Sequence, residues 1–207
     1  MRIRKKSNVN EKLLDYNDIV IAADDWRKNF SNENEKIFVE LGTGKGDFIS
    51  QLAEINSKIN FIGLEMEATV IYAAARKIRE KNLSNVRLII FDINSIEELF
   101  NENEIDRFYI NFCDPWPKKR HAKRRLTNIK FLEKYKKILK LDGEIQFKTD
   151  NRDLFDYSLE QFELINAKVS EVTYNLHDEN FPDNIETEYE KKFSAMGVPI
   201  NRCVIKF

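Results

Sequence analysis

Five short apolar runs alternate with helix-patterned stretches over the first 150 residues, and this alternation limits the fold more than any other feature of the chain. The runs 37–41, 61–65 and 86–91 are rich in β-formers and mostly apolar, and 107–112 and 144–148 read as the fourth and fifth strands. Between them, residues 47–56 place Phe48, Ile49, Leu52, Ala53 and Ile55 at helical spacing, and 67–81 predicts a long helix. Ser95-Ile96-Glu97-Glu98 opens a short helix with a capping-box pattern, and 128–139 predicts another. Strands that are apolar throughout and alternate with helices belong in a parallel sheet covered on both faces. After Asp150 the order changes: a helix over 154–165 leads to 169–174, a polar stretch and 202–207, and the last two runs are expected to pair antiparallel. The expected fold is a single α/β domain over residues 1–207, with a doubly wound, mostly parallel sheet and an antiparallel C-terminal edge.

At 207 residues, with 42% hydrophobic and 33% charged residues, the chain can fill one core and is not a disordered or low-complexity polymer. No run approaches the roughly 20 apolar residues of a membrane span, and the basic start lacks the apolar stretch of a secretory signal. Cys113 and Cys203 show neither metal-ligand spacing nor a disulfide framework, so the expected setting is cytoplasmic, with no metal and no obligate protein partner. The net charge of −1 conceals an uneven distribution: residues 118–140 hold 11 Lys or Arg against the single acid Glu133, a net +10 that leaves −11 for the rest. Abundant lysine explains scattered cations, whereas a clustered block points to a local anionic partner.

Three of the six glycines fall within five residues, in Glu40-Leu41-Gly42-Thr43-Gly44-Lys45-Gly46, directly after the first strand. Glycine there allows positive φ and close approach of backbone to a ligand. A P-loop and a dinucleotide loop both need glycine where this chain has Asp47, and an acid just inside a helix repels pyrophosphate. The pattern acid-x-G-x-G-x-G instead resembles the S-adenosylmethionine loop of Rossmann-like methyltransferases. That ligand carries a cationic amine and no phosphate. Glu40 would hold the amine, Glu65 at the end of the second strand would accept from ribose hydroxyls, and Asp92 at the end of the third would receive the adenine amino group. Gly42, Gly44 and Gly46 complete the expected cofactor set. Any one of these acids reads equally as a helix cap or solvated turn, and Glu65 would also suit the ribose of NAD; three in succession after a glycine cluster favour the first reading.

The fourth run ends in Asn111-Phe112-Cys113-Asp114-Pro115-Trp116-Pro117, which brings a carboxylate, a rigid turn and an aromatic face to a strand end. A planar base would stack on Trp116 while its edge bonds to Asp114; alternatively, Trp116 packs as a lid. The Asp/Asn-Pro-Pro-aromatic motif of amino-methylating enzymes is similar, but has a second consecutive proline that this chain lacks. Lys118-Lys119-Arg120-His121-Ala122-Lys123-Arg124-Arg125 follows, six of eight residues cationic and none acidic. Self-repulsion disfavours a regular element there unless a polyanion is bound, and a phosphate backbone is the natural counter-charge. Arg2, Arg4, Lys5 and Lys6 read either as a second RNA arm or as a disordered terminus, within a basic extension (1–30) that packs on the domain.

Taken together, the MRIR start, ELGTGKG, the Glu65 strand, DPW-x-K-x-R-H-x-K-R-R, FKTDN at 147–151 and TEYE at 187–190 resemble the bacterial tRNA (guanine-N7)-methyltransferases over nearly the whole chain. The resemblance implies a Rossmann-like fold, S-adenosyl-L-methionine as cofactor, tRNA as partner, and methylation at N7 of a guanine in the variable loop. It implies cofactor or catalytic positions at Glu40, Glu65, Asp92 and Asp114, and substrate contacts at Lys118, Asp150, Thr187, Glu188, Tyr189 and Glu190. It also implies an RNA-binding stretch at Arg120, His121, Lys123, Arg124 and Arg125 within a basic loop (118–127). Residues 178–198 are expected to form a flap over the guanine; their composition alone fits equally an acidic surface loop anchored by Phe181 and Pro182.

Guanine N7 is a free lone pair at neutral pH. Its methylation therefore needs positioning and electrostatic help for a base that becomes cationic, and no group to remove a proton. Asp114 is the expected catalytic residue, binding the N1–H and amino edge of guanine, with Asp150 sharing the work. Cys113 reads as a buried strand-end thiol and His121 as a phosphate contact. Two competing readings remain: an S-adenosylmethionine-dependent enzyme acting on an exocyclic amino group of RNA or DNA, and an RNA-binding module that keeps the fold without turnover.

Overall fold

The computed structural model describes residues 8–30, 32–178, 181 and 184–207. The expected RNA arm (Arg2, Arg4, Lys5, Lys6) and the anchoring Pro182 lie outside the described residues. The chain forms two compact units, 1–93 and 94–207.

The first unit contains α1 (Val9–Leu13), β1 (Lys36–Leu41), α2 (Asp47–Ile55), β2 (Ile59–Glu65), α3 (Ala68–Glu80) and β3 (Val86–Ile90). Its strands are parallel and ordered β3-β2-β1. Val39, Leu41, Phe61, Ile62, Leu64, Val86 and Leu88 are buried, which is why these strands read as unbroken apolar runs. Phe48, Ile49, Leu52 and Ala53 of α2, and Ile71, Ala74, Ala75 and Ile78 of α3, supply the helical side of this core at the spacing the sequence predicts. Residues ahead of β1 also belong to the core: Val9, Leu13, Ile19, Ile21 and Trp26 are buried. Ile21 N–H donates to the Leu88 carbonyl at 3.0 Å and Leu88 N–H to the Ile19 carbonyl at 2.8 Å, a short parallel bridge on β3.

The second unit contains α4 (Ile96–Leu99), β4 (Ile105–Asn111), α5 (Ile129–Ile138), β5 (Leu139–Thr149), α6 (Arg152–Leu164), β6 (Lys168–Thr173), α7 (Glu188–Ala195) and β7 (Asn201–Lys206), ordered β4-β5-β7-β6 in its strands. β4 and β5 are parallel, with Asn111 opposite Lys148; β7 runs antiparallel to both β5 and β6. Phe108, Ile110, Leu132, Tyr135, Phe147, Phe155, Phe162 and Cys203 fill its core. The α/β class, with parallel strands first and an antiparallel C-terminal edge, is the expected one. Among the described residues, no helix is long and apolar enough to cross a membrane.

Several local expectations give way. Ser95 makes no side-chain cap, because it already ends a 3-10 turn with φ −100° and ψ 22° instead of an extended backbone. Glu97 turns to Lys134 and Lys137, at 3.3 Å each. The cationic run does form a regular element, a 3-10 helix over Lys119–Arg124, closed by Arg125 N–H on the Ala122 carbonyl at 3.1 Å. Lys119, Arg120, Lys123 and Arg124 are exposed there, so water screens their mutual repulsion. Residues 188–195, within the stretch expected to form a flap, are helical as α7.

Candidate cofactor and substrate sites

In the first unit, Glu40 is registered with Gly63 and Glu65 with Ile90, so the carboxyl ends of β1, β2 and β3 are level. Glu40, Glu65 and Asp92 therefore stand in a row at the edge where open α/β sheets bind ligands. Gly42, Gly44 and Gly46 have φ of 81°, 57° and 74°, the left-handed region that side chains disfavour. A Cβ at Gly46 would lie 2.8 Å from Ala74 Cβ, whereas one at Gly42 or Gly44 would meet nothing within 4 Å: the loop is tight toward α3 and open on its other side. Thr43 Oγ1 donates to Glu40 Oε2 at 2.6 Å and fixes that buried carboxylate. Glu65 Oε1 accepts from the Met66 and Glu67 amides at 2.8 and 3.1 Å, while Asp92 is exposed. Asp47 sits in the first turn of α2, paired with Lys77, and opposes anion binding at that helix end. Met66 and Ile90, 61% and 42% exposed, put apolar surface beside the two outer acids. An acidic rim with an apolar patch suits a cationic nucleoside and not a pyrophosphate.

In the second unit, β4 ends at Asn111 and the chain then strains. Phe112 has φ 50° and Trp116 φ 40°, values that aromatic side chains rarely adopt and that cost on the order of 1–3 kcal/mol each. Packing holds them. Phe112 stacks on Tyr189 and Phe193 of α7, with ring centres at 6.2 and 6.1 Å, and Trp116 lies edge-on to His121 at 5.7 Å with the Arg124 guanidinium 4.9 Å from its centre. Between the two strained residues stands Asp114, exposed, with no hydrogen bond to its carboxylate among the described residues. Burial, and after it the charge of Asp114 and then Asp150, pushes the Cys113 thiol up to about 12. The thiol is therefore protonated at neutral pH and no nucleophile.

The cationic block divides by its partners. Lys134 and Lys137 of α5 pair with Glu97, and Lys140 at the start of β5 pairs with Asp106, so these three cations already have acidic partners. Lys118, Arg120, Lys123 and Arg124 are exposed and have no acidic partner among the described residues. Arg125 differs: it is buried, its guanidinium lies 4.2 Å from the Tyr157 ring centre, and Nη2 donates to the Trp116 carbonyl at 3.1 Å. These contacts brace the loop from within.

Within FKTDN, Phe147 is core, Lys148 pairs with Glu190, Thr149 Oγ1 accepts from the Asn151 amide, and Asn151 caps α6. Asp150 is left half-buried with no hydrogen bond to its carboxylate among the described residues. Within TEYE, Thr187 caps α7 by accepting from the Glu190 amide at 2.9 Å, Glu190 is wholly buried, and Glu188 and Tyr189 are exposed.

Comparison with known proteins completes this geometry. The family model described as "Putative methyltransferase" matches residues 34–203. A tRNA (guanine-N(7)-)-methyltransferase of Macrococcus caseolyticus is 45% identical over all of both chains, and that of Bacillus subtilis is 44% identical over all of this chain and 99% of the relative. The chain belongs to the tRNA (guanine-N7)-methyltransferase family. The fold is shared more widely than the family. An antibiotic-related methyltransferase superposes with a TM-score of 0.63 over 89% of this chain and 93% of that one, at 18% identity. The 30S ribosomal A1408 methyltransferase from an uncultured bacterium gives 0.57 over 98% and 95%, also at 18%.

For a tRNA (guanine-N7)-methyltransferase family member, the structure adds residues that sequence reasoning passes over. Met66 and Ile90 carry no motif, and only the strand register shows them exposed at the ends of β2 and β3. Lys148 stands inside FKTDN, and its signal is a lysine next to the core Phe147 near the end of a strand.

Proposed function

We propose that this chain transfers a methyl group from S-adenosylmethionine to N7 of a guanine in the variable loop of tRNA. The observation that carries the reading is Asp114: an exposed carboxylate with no hydrogen bond among the described residues, held between two strained aromatic residues and followed by a turn whose exposed cations have no acidic partner among those residues. The full-length relatives named for this activity support it. The family match spans residues from both units, which supports a single catalytic domain.

The cofactor supplies an electrophilic methyl on a sulfonium. In the first unit, Glu40, fixed by Thr43, holds its amine, Glu65 accepts from the ribose, Asp92 takes the adenine amino group, and Met66 and Ile90 cover the ring. In the second unit, Asp114 accepts from the N1–H and amino edge of guanine and offsets the positive charge the base acquires, with Asp150 beside the same thiol sharing the field. No proton leaves N7, so neither a histidine nor a thiolate is required. Lys118, Arg120, His121, Lys123 and Arg124 meet phosphates, Arg125 holds their turn, and Glu188 and Tyr189 face the substrate from α7, framed by Thr187 and Glu190.

Transfer of labelled methyl to unmodified tRNA by wild type and Asp114→Asn tests this. The variant is expected to lose at least ~10²-fold in turnover with cofactor affinity retained; unchanged turnover would remove Asp114 from the chemistry.

A further inference from the structure

Lys148 is 4% exposed on β5, and its three N–H donors meet three acceptors: Asn184 Oδ1, the Ile185 carbonyl at 3.0 Å and Glu190 Oε2 at 3.1 Å. Glu190 is wholly buried; its Oε1 accepts from Asn184 Nδ2 at 2.7 Å and lies 3.6 Å from His177 Nε2. This pair gathers three stretches of chain: β5, the loop before α7, and α7 itself. α7 has eight residues and Glu190 is the only one buried. A helix of that length is marginal on its own, and this one lacks the apolar stripe that usually docks a helix. What it lays against the rest of the unit is an aromatic contact, Tyr189 and Phe193 stacked on Phe112, two residues before Asp114. Its docking therefore depends on a charge pair closed at the base of the helix.

We propose that Lys148 is a positioning residue for tRNA, acting through Glu190 to hold α7 so that Tyr189 and the Phe112–Asp114 loop keep their substrate-competent arrangement. The proposal rests on the tRNA reading above. A buried pair that loses one partner leaves an uncompensated charge, whereas exchanging both for apolar side chains of similar size does not. That asymmetry separates holding from touching. If Glu190 only holds α7, its loss is repaired by the matching change at Lys148; if it contacts the guanine, nothing at Lys148 repairs it.

The experiment measures methyl transfer to unmodified tRNA, cofactor affinity and thermal unfolding for the full chain and for Lys148→Met, Glu190→Met and the double variant. Each single variant is expected to lose on the order of 10²-fold in kcat/KM for tRNA while cofactor affinity stays within about twofold, and the double variant to recover to within about tenfold of wild type. Lys148→Met with wild-type kcat/KM, whatever its Tm, would overturn the proposal. So would a double variant as inactive as Glu190→Met, folded or not. Should a single variant fail to fold, the double variant decides by the same criterion. A wild-type chain that methylates no tRNA would instead strike the tRNA reading itself.

Discussion

Asp114 can serve a substrate because no protein group among the described residues consumes its charge, while the carboxylate at Glu40 is already steered by a threonine. Thr43→Val removes the 2.6 Å bond that orients Glu40 and is expected to weaken cofactor binding about tenfold, with little change in tRNA affinity, as measured by calorimetry. The Cys113 thiol, raised to about 12 by burial and then by Asp114 and Asp150, is expected to resist iodoacetamide in the native protein at neutral pH; rapid alkylation would show a thiolate that the structure does not support. The acids were legible in the sequence because strand ends follow from apolar runs and glycines. The inward turn of Arg125 was not, because a run of like residues gives no sign of which one finds a ring such as Tyr157 to lie on.

Among the elements, the turn over Lys119–Arg124 presents exposed cations, whereas Lys134 and Lys137 of α5 pair with Glu97, although one charge block covers both. Replacing Arg120, Lys123 and Arg124 by alanine is expected to flatten the log–log salt dependence of tRNA binding by about 0.7–0.9 for each phosphate no longer neutralised. Arg125→Ala is expected to lower Tm while leaving that slope nearly unchanged, since it removes the braces on Trp116 and Tyr157. An unaltered slope in the triple variant would reassign the RNA surface. Two segments share the Ser/Thr-x-x-Glu pattern. It caps at Thr187, where φ −73° and ψ 165° present the hydroxyl, and not at Ser95, which is already turned. Cap patterns depend on the backbone that precedes them. α7 itself escaped the sequence reading for a physical reason: its only buried residue is a carboxylate, so no apolar period exists to find.

Over the whole molecule, stability at alkaline pH is limited by the raised Cys113 and Cys203 thiols together with the buried Tyr135 phenol, which burial also raises. Burial also raises Cys203 to about 12, with Arg202 pulling weakly the other way. Below the ordinary thiol value of 9.0 both states are protonated and the shift costs nothing; above it the unfolded chain ionises while the folded one stays protonated until about 12. Stability present below pH 9 is therefore expected to decline across that window, and Cys203→Ala to reduce the decline. A stability profile flat through that range would contradict the raised thiol values. The most direct measurement is nucleoside analysis of unmodified tRNA after incubation with the protein and labelled S-adenosylmethionine, repeated with the variable-loop guanine replaced. The expected result is 7-methylguanosine that disappears with the replacement. Label in another nucleoside, or 7-methylguanosine that survives the replacement, would contradict the assigned reaction.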